Sequence, residues 1–326
     1  MEFFTLVIVS LFVGLGVGIL SGLLGLGGGT LFVPILRLGY GLSAIACTAT
    51  SLMIIMLTSI SGSVTHIRKR TCLPLLGVIT GVAGAATSPV GVYLATYAPE
   101  WLIIVVTALI MIYSAGTMIS KAIKAHRAKR AQLSASDGLD KTSAEGPFRE
   151  DIIAGQTGTD NTTAEQAVTD NAAAEQAVTG NTIARHAVTD NAAAEIVVAQ
   201  KLPARKLVIG LFVGIVAGIC AGFAGVGGGF IMVPMFIQLV GLSMRLTSGT
   251  SMLAICITSI TGVIYQAYLG NVVWMAGIAI AIGSIPGAIL GAALVTRVPE
   301  QILRLIFGIF LGVAALILVI NQFVFA

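Results

Sequence analysis

Carboxylate side chains are almost missing from the apolar parts of this 326-residue chain. Of its 14 Asp and Glu residues, only Glu2, Glu100 and Glu300 lie outside the polar segment 121–205. Proton pumps and ion-coupled carriers usually depend on Asp or Glu inside their membrane spans. The near absence of carboxylates therefore argues against a carrier of cations.

Residues suited to catalysis or metal binding are also scarce, with 3 His and 4 Cys in the chain. The cysteines have no CxxC spacing and fit the role of small apolar packing residues. We expect no buried histidine, because His66 falls at the end of an apolar run beside Arg68. The sequence therefore predicts no enzyme, no metal site and no cofactor. The cysteines are Cys47, Cys72, Cys220 and Cys256.

Charged residues make up 10% of the chain, hydrophobic residues 56%, and the mean hydropathy is +0.99. A soluble domain carries roughly 25% charged residues, and about 20 apolar residues suffice to cross a bilayer. The composition predicts an all-α integral membrane protein with about eight transmembrane elements and no cleaved signal peptide. The predicted segments are Phe3–Leu36, Ser43–Val64, Leu73–Tyr97, Trp101–Ile119, Leu207–Phe236, Ser243–Ile264, Val272–Val295 and Gln301–Ile320.

The first and fifth segments contain a glycine cluster followed by a proline. They read GLLGLGGGTLFVPIL at 22–36 and GFAGVGGGFIMVPMF at 222–236. A single helix over Phe3–Leu36 would be about 50 Å long, against a hydrocarbon core of about 30 Å. Because glycine and proline interrupt helices, each segment is predicted to be a helix, a glycine-rich turn and a half-helix.

The two halves of the chain align at an offset of 200 residues without a gap, and GLS, TS and TSI recur at 41, 50 and 58 and again at 241, 250 and 258. This predicts a first transmembrane repeat over 1–120, a linker over 121–205 and a second repeat over 206–326. Four crossings per half would give both repeats the same orientation. An odd number of crossings would invert them instead.

Basic residues cluster after the second and fourth segments and before the fifth. With one crossing per segment these clusters share one side, which the positive-inside rule makes cytoplasmic. Both termini and the linker are then predicted to be cytoplasmic. Because the basic residues report topology, no nucleic-acid partner is expected, and the sequence leaves the oligomeric state open. The opposite side would hold Arg37, Arg245, Arg297 and Arg304.

The linker contains a ten-residue repeat between Asn161 and Gln200, which begins NTTAEQAVTD. The repeat has no aromatic residue and few large apolar ones, so it cannot build a core. The main interpretation is a disordered cytoplasmic linker, and a docking segment is the alternative.

The glycine clusters are the first candidate for a substrate site. Backbone interrupted inside a membrane must line a cavity or be buried in protein, and a half-helix directs its positive N-terminal end at the break. Two such ends would suit a small anion. Close helix packing is the alternative, and it is the preferred reading of Gly14, Gly18 and Gly22. The candidates are Gly25, Gly27, Gly28, Gly29, Thr30 and Pro34, and in the second copy Gly225, Gly227, Gly228, Gly229, Phe230 and Pro234.

Paired hydroxyl and basic residues near the breaks are the second candidates. Hydroxyls in apolar helices often bond to their own backbone, which is the alternative to substrate contact. Two arginines near these loops could attract an anion or extend to the interface as anchors. These candidates are Thr50, Ser51, Thr250 and Ser251, together with Arg37 and Arg245.

The two copies of the pattern GLxGxGGGxLxVPxL, with a span count near eight, resemble the TauE/SafE-type sulfite exporters, also called sulfonate-uptake permeases. The resemblance covers residues 1–120 and 205–326. It implies a bacterial-type inner-membrane permease for a small sulfur-containing anion such as sulfite or an organosulfonate, usually an exporter. The alternatives are an uptake permease for organosulfonates or carboxylates and a non-transporting membrane scaffold.

Overall fold

The computed structural model describes residues 2–99, 101–103, 105–120, 123 and 203–325. Every regular element within these residues is a helix, which confirms the all-α prediction. The elements are α1 (Glu2–Leu24), α2 (Gly29–Tyr40), α3 (Ala44–Arg68), α4 (Pro74–Tyr97), α5 (Trp101–Ser120), α6 (Ala204–Ala224), α7 (Gly229–Met235, continued by a π-helical turn over Phe236–Val240), α8 (Met244–Tyr268), α9 (Trp274–Leu294) and α10 (Glu300–Phe325).

Seven of the helices in the described part of the chain are long and apolar enough to cross a membrane, namely α3, α4, α5, α6, α8, α9 and α10. Helix α1 adds a shorter apolar segment, Val9–Leu24. The predicted segment Phe3–Leu36 consists of α1 and α2, and Leu207–Phe236 consists of α6 and α7. The helix break predicted in each segment is therefore present.

The helix bounds repeat at the offset of 200 residues. Helix α3 covers 44–68 and α8 covers 244–268, while α2 begins at Gly29 and α7 begins at Gly229. Both glycine clusters fall between the same pair of helices in their own half. The decapeptide repeats lie outside the described residues, so the division at 121–205 remains a prediction.

Equivalent helices of the two halves run in opposite directions. Gly62 of α3 lies against Met252 of α8, and Gly262 of α8 lies against Leu52 of α3, so these helices are antiparallel. A pseudo-twofold axis that relates two antiparallel helices lies in the plane of the membrane, as it does in proteins with inverted repeats. The prediction that both repeats share one orientation is therefore wrong.

The reason for the inversion is that α2 returns the chain to the end where α1 started. Ser10 Oγ of α1 lies 2.5 Å from Tyr40 Oη at the end of α2, and Gly28 at the start of α2 lies beside Val17. Helices α1 and α2 thus form a hairpin with no net crossing. Three crossings remain in each half, α3, α4 and α5 in the first, and an odd number inverts the second copy.

The halves interlock through the first helix of each. Helix α1 packs in parallel on α9, with Gly14 against Ile280 and Gly22 against Ala288. Helix α6 packs in the same way on α4, with Gly222 against Ser88. The missing side chains let backbone approach backbone, which confirms the packing interpretation of Gly14, Gly18 and Gly22. Both halves belong to one compact unit, Met1–Ala128 with Pro203–Ala326.

The helix directions define two ends of this unit. We call the end with the starts of α1, α3 and α9 the termini end. We call the opposite end, where α3 joins α4, the linker end. Helix α5 finishes at the linker end, because Ile119 lies beside Gly308 near the start of α10. Glu300 at that start accepts a hydrogen bond from Met244 N of α8 at 2.9 Å.

Both chain termini therefore lie at one end, and the attachment points of the linker lie at the other. Helix α6 starts beside the start of α4 at the linker end, and α10 runs back toward the termini end. The prediction that the termini and the linker share one side is contradicted by this arrangement. Its error came from counting Phe3–Leu36 as a single crossing.

The basic residues follow the same division. Among the lysines and arginines that the structure describes, Arg37 alone lies toward the termini end. Arg245, Arg297 and Arg304, which were predicted on the side opposite the basic clusters, lie at the linker end with them. The others at the linker end are Arg68, Lys69, Arg70, Arg205 and Lys206.

Candidate functional site

Left-handed backbone explains why the two breaks consist of glycine. Three residues in each break have a φ between +66° and +80°, a conformation that is strained for residues with a side chain. All six are buried. The geometry of these turns therefore requires glycine at these positions. The six are Gly25, Gly27 and Gly28 in the first turn and Gly225, Gly227 and Gly228 in the second.

The two turns meet in the interior of the protein. A Cβ atom built on Gly29 would lie 2.6 Å from the backbone of Val226, and one on Gly229 would lie 2.7 Å from Leu26 O. Ile55 and Ile255, near the middle of α3 and α8, pack on both turns. The structure thus brings the two predicted glycine clusters together at mid-depth of the long helices.

The half-helices start directly at the turns. Leu31 N and Phe32 N donate to Gly28 O at 3.1 and 3.2 Å, and Ile231 N and Met232 N donate equivalently to Gly228 O. The N–H groups of the first residues of a helix have no carbonyl of that helix to bind. The N–H groups of Gly29 and Thr30 at the start of α2 are therefore directed to the meeting point. Pro34 and Pro234 are buried inside the half-helices that follow.

The paired serines bind the turn of the opposite half. Ser51 Oγ donates to Gly225 O at 2.5 Å, and Ser251 Oγ donates to Gly25 O at 2.8 Å. Both side chains are completely buried. Each serine therefore lies at the turn of the opposite half and connects one half of the protein to the other. Each also lies within hydrogen-bond distance of a carbonyl of its own helix, Thr48 O at 2.9 Å or Ser248 O at 3.1 Å, as in the alternative interpretation, and substrate contact stays a prediction.

The hydroxyls of the paired threonines contact the loops before α4 and α9 and not the glycine turns. Thr250 Oγ1 accepts from Leu73 N at 3.0 Å, and Thr50 Oγ1 accepts from Val273 N at 3.0 Å. Thr250 also donates to Leu246 O at 2.6 Å. These hydroxyls fix the starts of α4 and α9 against α8 and α3.

The two candidate arginines do not share a vestibule. Arg37 lies in the last turn of α2 toward the termini end, whereas Arg245 lies at the start of α8 at the linker end. Arg245 Nη2 donates to Val298 O at 3.1 Å, which ties α8 to the loop before α10. One site cannot use both residues.

Three residues in or next to the first turn have a buried hydroxyl without a partner, and sequence reasoning missed two of them. Ser21 and Ser59 are no more than 1% exposed, as is Thr30, which the turn pattern had included. The hydroxyl of each has no hydrogen-bond partner in the described structure. Ser59 lies in the TSI pattern that occurs in both halves, so the repeat could have identified it as a candidate. Ser21 had no comparable signal.

His66 is buried, contrary to the expectation from its place at a span end. Its Nε2 donates to Gly22 O at 2.9 Å, and its Nδ1 lies 2.8 Å from Thr71 Oγ1. Its counterpart Gln266 accepts from Asn271 Nδ2 at 2.8 Å. The position therefore connects the end of α3, or of α8, to the loop that follows in both halves.

A cavity of about 400 Å³ lies away from the turn residues, between α5, α6 and α7. Its lining is largely apolar, with Tyr113, Ser114 and Gln238 as polar side chains. It has no charged lining residue, and it does not reach the meeting point of the turns.

The described helical bundle, with seven helices long and apolar enough to cross a membrane, is that of a multi-pass membrane protein. The family model for the sulfite exporter TauE/SafE matches residues 10–318, and the chain belongs to this family. A probable membrane transporter protein of Bacillus subtilis, YunE, is 24% identical over 91% of this chain and 92% of its own length. No solved structure matches the chain.

Two shorter similarities point the same way. A probable membrane transporter protein of Xylella fastidiosa is 26% identical over 35% of this chain and 44% of its own length. Another from Methanocaldococcus jannaschii is 32% identical over 31% of this chain and 40% of its own length. These relatives support the transporter class, and their names specify no substrate.

Proposed function

We propose that the protein is an inner-membrane permease that exports a small sulfur-containing anion, sulfite or an organosulfonate. The observation that carries this proposal is the meeting of the two glycine turns, where the N-terminal end of α2 is directed at a buried point. Such an end binds anions through free N–H groups and the helix dipole. The family membership supports the substrate class.

The charge inventory supports export without a coupling ion. Apart from His66 and Gln266, the buried polar side chains in the described structure are hydroxyls. None of them is a carboxylate that could bind a proton or sodium ion. One elementary charge moved through 100 mV is worth about 2.3 kcal/mol, and an inside-negative potential drives an anion outward. Uptake of the same anion would need an energy source for which these residues offer no ligand.

The basic linker end is the cytoplasmic end in this proposal. Cytoplasmic loops of membrane proteins carry an excess of Lys and Arg close to the spans. Eight of the described Lys and Arg residues lie at the linker end, against Arg37 toward the other. In the sequence, Lys121, Lys124 and Arg127 directly follow α5 and add to the same excess. The linker is then cytoplasmic and both termini are external.

Fusion reporters should distinguish this topology from the parallel one. Alkaline phosphatase fused after Ala326 or inserted next to Pro99 should be active, because α10 ends and α4 ends at the termini end. Green fluorescent protein inserted within 131–160 should fluoresce, because the linker joins the basic end. Phosphatase activity and fluorescence are measured for fusions that are expressed at equal levels. A fluorescent fusion after Ala326 would contradict the inverted arrangement.

Anion flux should follow the membrane potential. In proteoliposomes loaded with methanesulfonate, an imposed inside-negative potential should accelerate efflux and the opposite polarity should slow it. Removal of sodium and collapse of the proton gradient should leave the flux unchanged, because no carboxylate is buried among the residues that the structure describes. Empty liposomes provide the background rate. A strict requirement for sodium or protons would contradict uncoupled transport.

A further inference from the structure

The two glycine turns are related by the sequence repeat, but their polar surroundings differ. Around the first turn, Ser21, Thr30 and Ser59 are buried, and their hydroxyls have no partner in the described structure. The equivalent positions at the second turn are Ala221, Phe230 and Ser259. Two of these have no hydroxyl, and Ser259 Oγ donates to Ile255 O at 2.5 Å. At these three pairs of positions, the hydroxyls without a partner therefore belong to the first turn. The other buried hydroxyls without a partner in the described structure, those of Thr80, Ser88 and Thr247, lie on α4 and α8.

Ser59 shows the difference most directly, because the same residue occurs at the same place in both halves. A serine in an apolar helix usually donates to the carbonyl four residues earlier, as Ser259 does. Ser59 Oγ instead lies 3.4 Å from the point that a Cβ of Gly27 would occupy. Its hydroxyl is therefore directed at the first turn. A buried hydroxyl without a partner is costly unless a ligand satisfies it.

The starts of the two half-helices differ in their side chains and not in helix length. Helix α2 has 12 residues, and α7 with its π-helical continuation likewise extends from Gly229 to Val240. Thr30, the second residue of α2, adds a hydroxyl beside the free N–H groups, and Phe230 at the equivalent position offers none.

We propose that the anion binds at the first turn alone, held by Ser21, Thr30, Ser59 and the N–H groups at the start of α2. This inference rests on the proposed function as an anion permease and assigns its binding site. The second turn then closes the site from the opposite side with the backbone of Val226, which lies against Gly29.

The absence of a cation among the described buried residues limits the charge of the ligand. Every donor of the proposed site is neutral, so no partner charge offsets the desolvation of the anion. In the Born description this desolvation cost grows with the square of the charge, about fourfold from a monoanion to a dianion. The site therefore suits monovalent oxoanions, hydrogensulfite or a sulfonate, and discriminates against sulfite and sulfate dianions.

Matched serine variants test the one-sided site. Purified protein in detergent is titrated calorimetrically with methanesulfonate, and the parental protein is compared with Ser59→Ala and Ser259→Ala. Ser59→Ala should weaken binding about tenfold, the usual loss for one hydrogen bond to a charged group. Ser259→Ala should stay within about twofold of the parental affinity. Thr30→Val, which keeps the shape of the side chain, should behave as Ser59→Ala does.

The outcomes separate this inference from the proposed function. Thermal unfolding without ligand shows whether each variant is folded. Equal losses in Ser59→Ala and Ser259→Ala, or no loss in Ser59→Ala and Thr30→Val, would overturn the one-sided site while leaving the permease intact. If the parental protein neither binds nor transports methanesulfonate or hydrogensulfite, the proposed function itself fails.

The preference for monoanions has its own test. Methanesulfonate should bind at least about tenfold more tightly than sulfate at equal ionic strength. Sulfite flux should fall as the pH rises through the range in which hydrogensulfite loses its proton, while methanesulfonate flux stays level. Equal affinity for sulfate and methanesulfonate would overturn the assignment to monoanions.

Discussion

Alanine in place of Gly18 is expected to lower the melting temperature of the protein strongly, while alanine in place of Gly16 is not. A Cβ atom on Gly18 would lie 2.4 Å from Ser284 O and 2.8 Å from Ser284 Cα of helix α9. Neither backbone atom can move without shifting the helix. A Cβ atom on Gly16, two residues away on α1, meets nothing within 4 Å.

A comparison of Gly16→Ala with Gly18→Ala separates the effect of helix packing from the effect of helix propensity. Alanine favours a helix over glycine by about 1 kcal/mol, so Gly16→Ala should keep or raise the melting temperature. Overpacking costs about 1–3 kcal/mol and outweighs this gain at Gly18. The measurements are thermal unfolding and the monodisperse fraction in detergent. Equal melting temperatures for the two variants would show that α1 does not pack this closely on α9.

Gly14 and Gly218 extend the same prediction. A Cβ atom at either position would lie 2.4 Å from a backbone oxygen of the facing helix, Ile280 O or Gly84 O. A glycine on a packing face could be expected to tolerate alanine, but these contacts are between backbones. Alanine should therefore destabilise both positions, as it does Gly18.

The helix breaks could be predicted from sequence because two independent signals coincide there. The apolar segment from Phe3 to Leu36 is too long for one upright crossing, and its glycines form a cluster instead of being spaced along one face. Left-handed backbone at Gly25, Gly27 and Gly28 is the physical reason for that cluster. The repeat offset then assigns the same turn to the second half.

The inversion of the halves could not be predicted from hydropathy. A segment that crosses once and a hairpin that returns have the same apolar composition. Only contacts between distant residues, such as those of Ser10 with Tyr40 and of Gly28 with Val17, distinguish them. The charge pattern did contain a hint. Once α2 is known to return, Arg245 and Arg297 join the basic clusters, and the asymmetry of the two ends becomes nearly complete.

The candidate site was predicted in part. Ser51 and Ser251 lie at the turns, but the carbonyls that they bind belong to Gly225 and Gly25 of the other half. A sequence cannot show whether a buried hydroxyl faces a ligand or a carbonyl so distant along the chain. Ser59 and Ser259 are identical in sequence and differ in bonding, and only their surroundings reveal this.

Alanine in place of Gly27 is expected to abolish high-affinity anion binding and transport while the protein still folds. Gly27 has a φ of +74°, and a Cβ there would lie 2.9 Å from Ile55 Cγ2, 3.1 Å from Ile255 Cγ2 and 3.4 Å from Ser59 Oγ. The nearest atoms belong to side chains and not to backbone, so the methyl group fits once the buried Ile55 and Ile255 give way by a few tenths of an ångström, at a cost in packing energy. It would then occupy the space in front of the Ser59 hydroxyl.

Gly41 provides the control, because its backbone is also left-handed and a Cβ atom there would contact no other residue. Its φ is +61°, and a Cβ there meets nothing within 4 Å. Alanine in left-handed backbone costs about 1–2 kcal/mol at either position. Contact with the buried Ile55 and Ile255 adds a packing cost at Gly27 alone, so Gly27→Ala should lose more stability than Gly41→Ala. Methanesulfonate affinity and flux should fall more than about tenfold in Gly27→Ala and remain parental in Gly41→Ala. Parental flux in Gly27→Ala would mean that the turn serves only to reverse the chain. The anion would then have to bind away from Ser59, because a methyl group that blocks this hydroxyl cannot leave a site built on it unchanged.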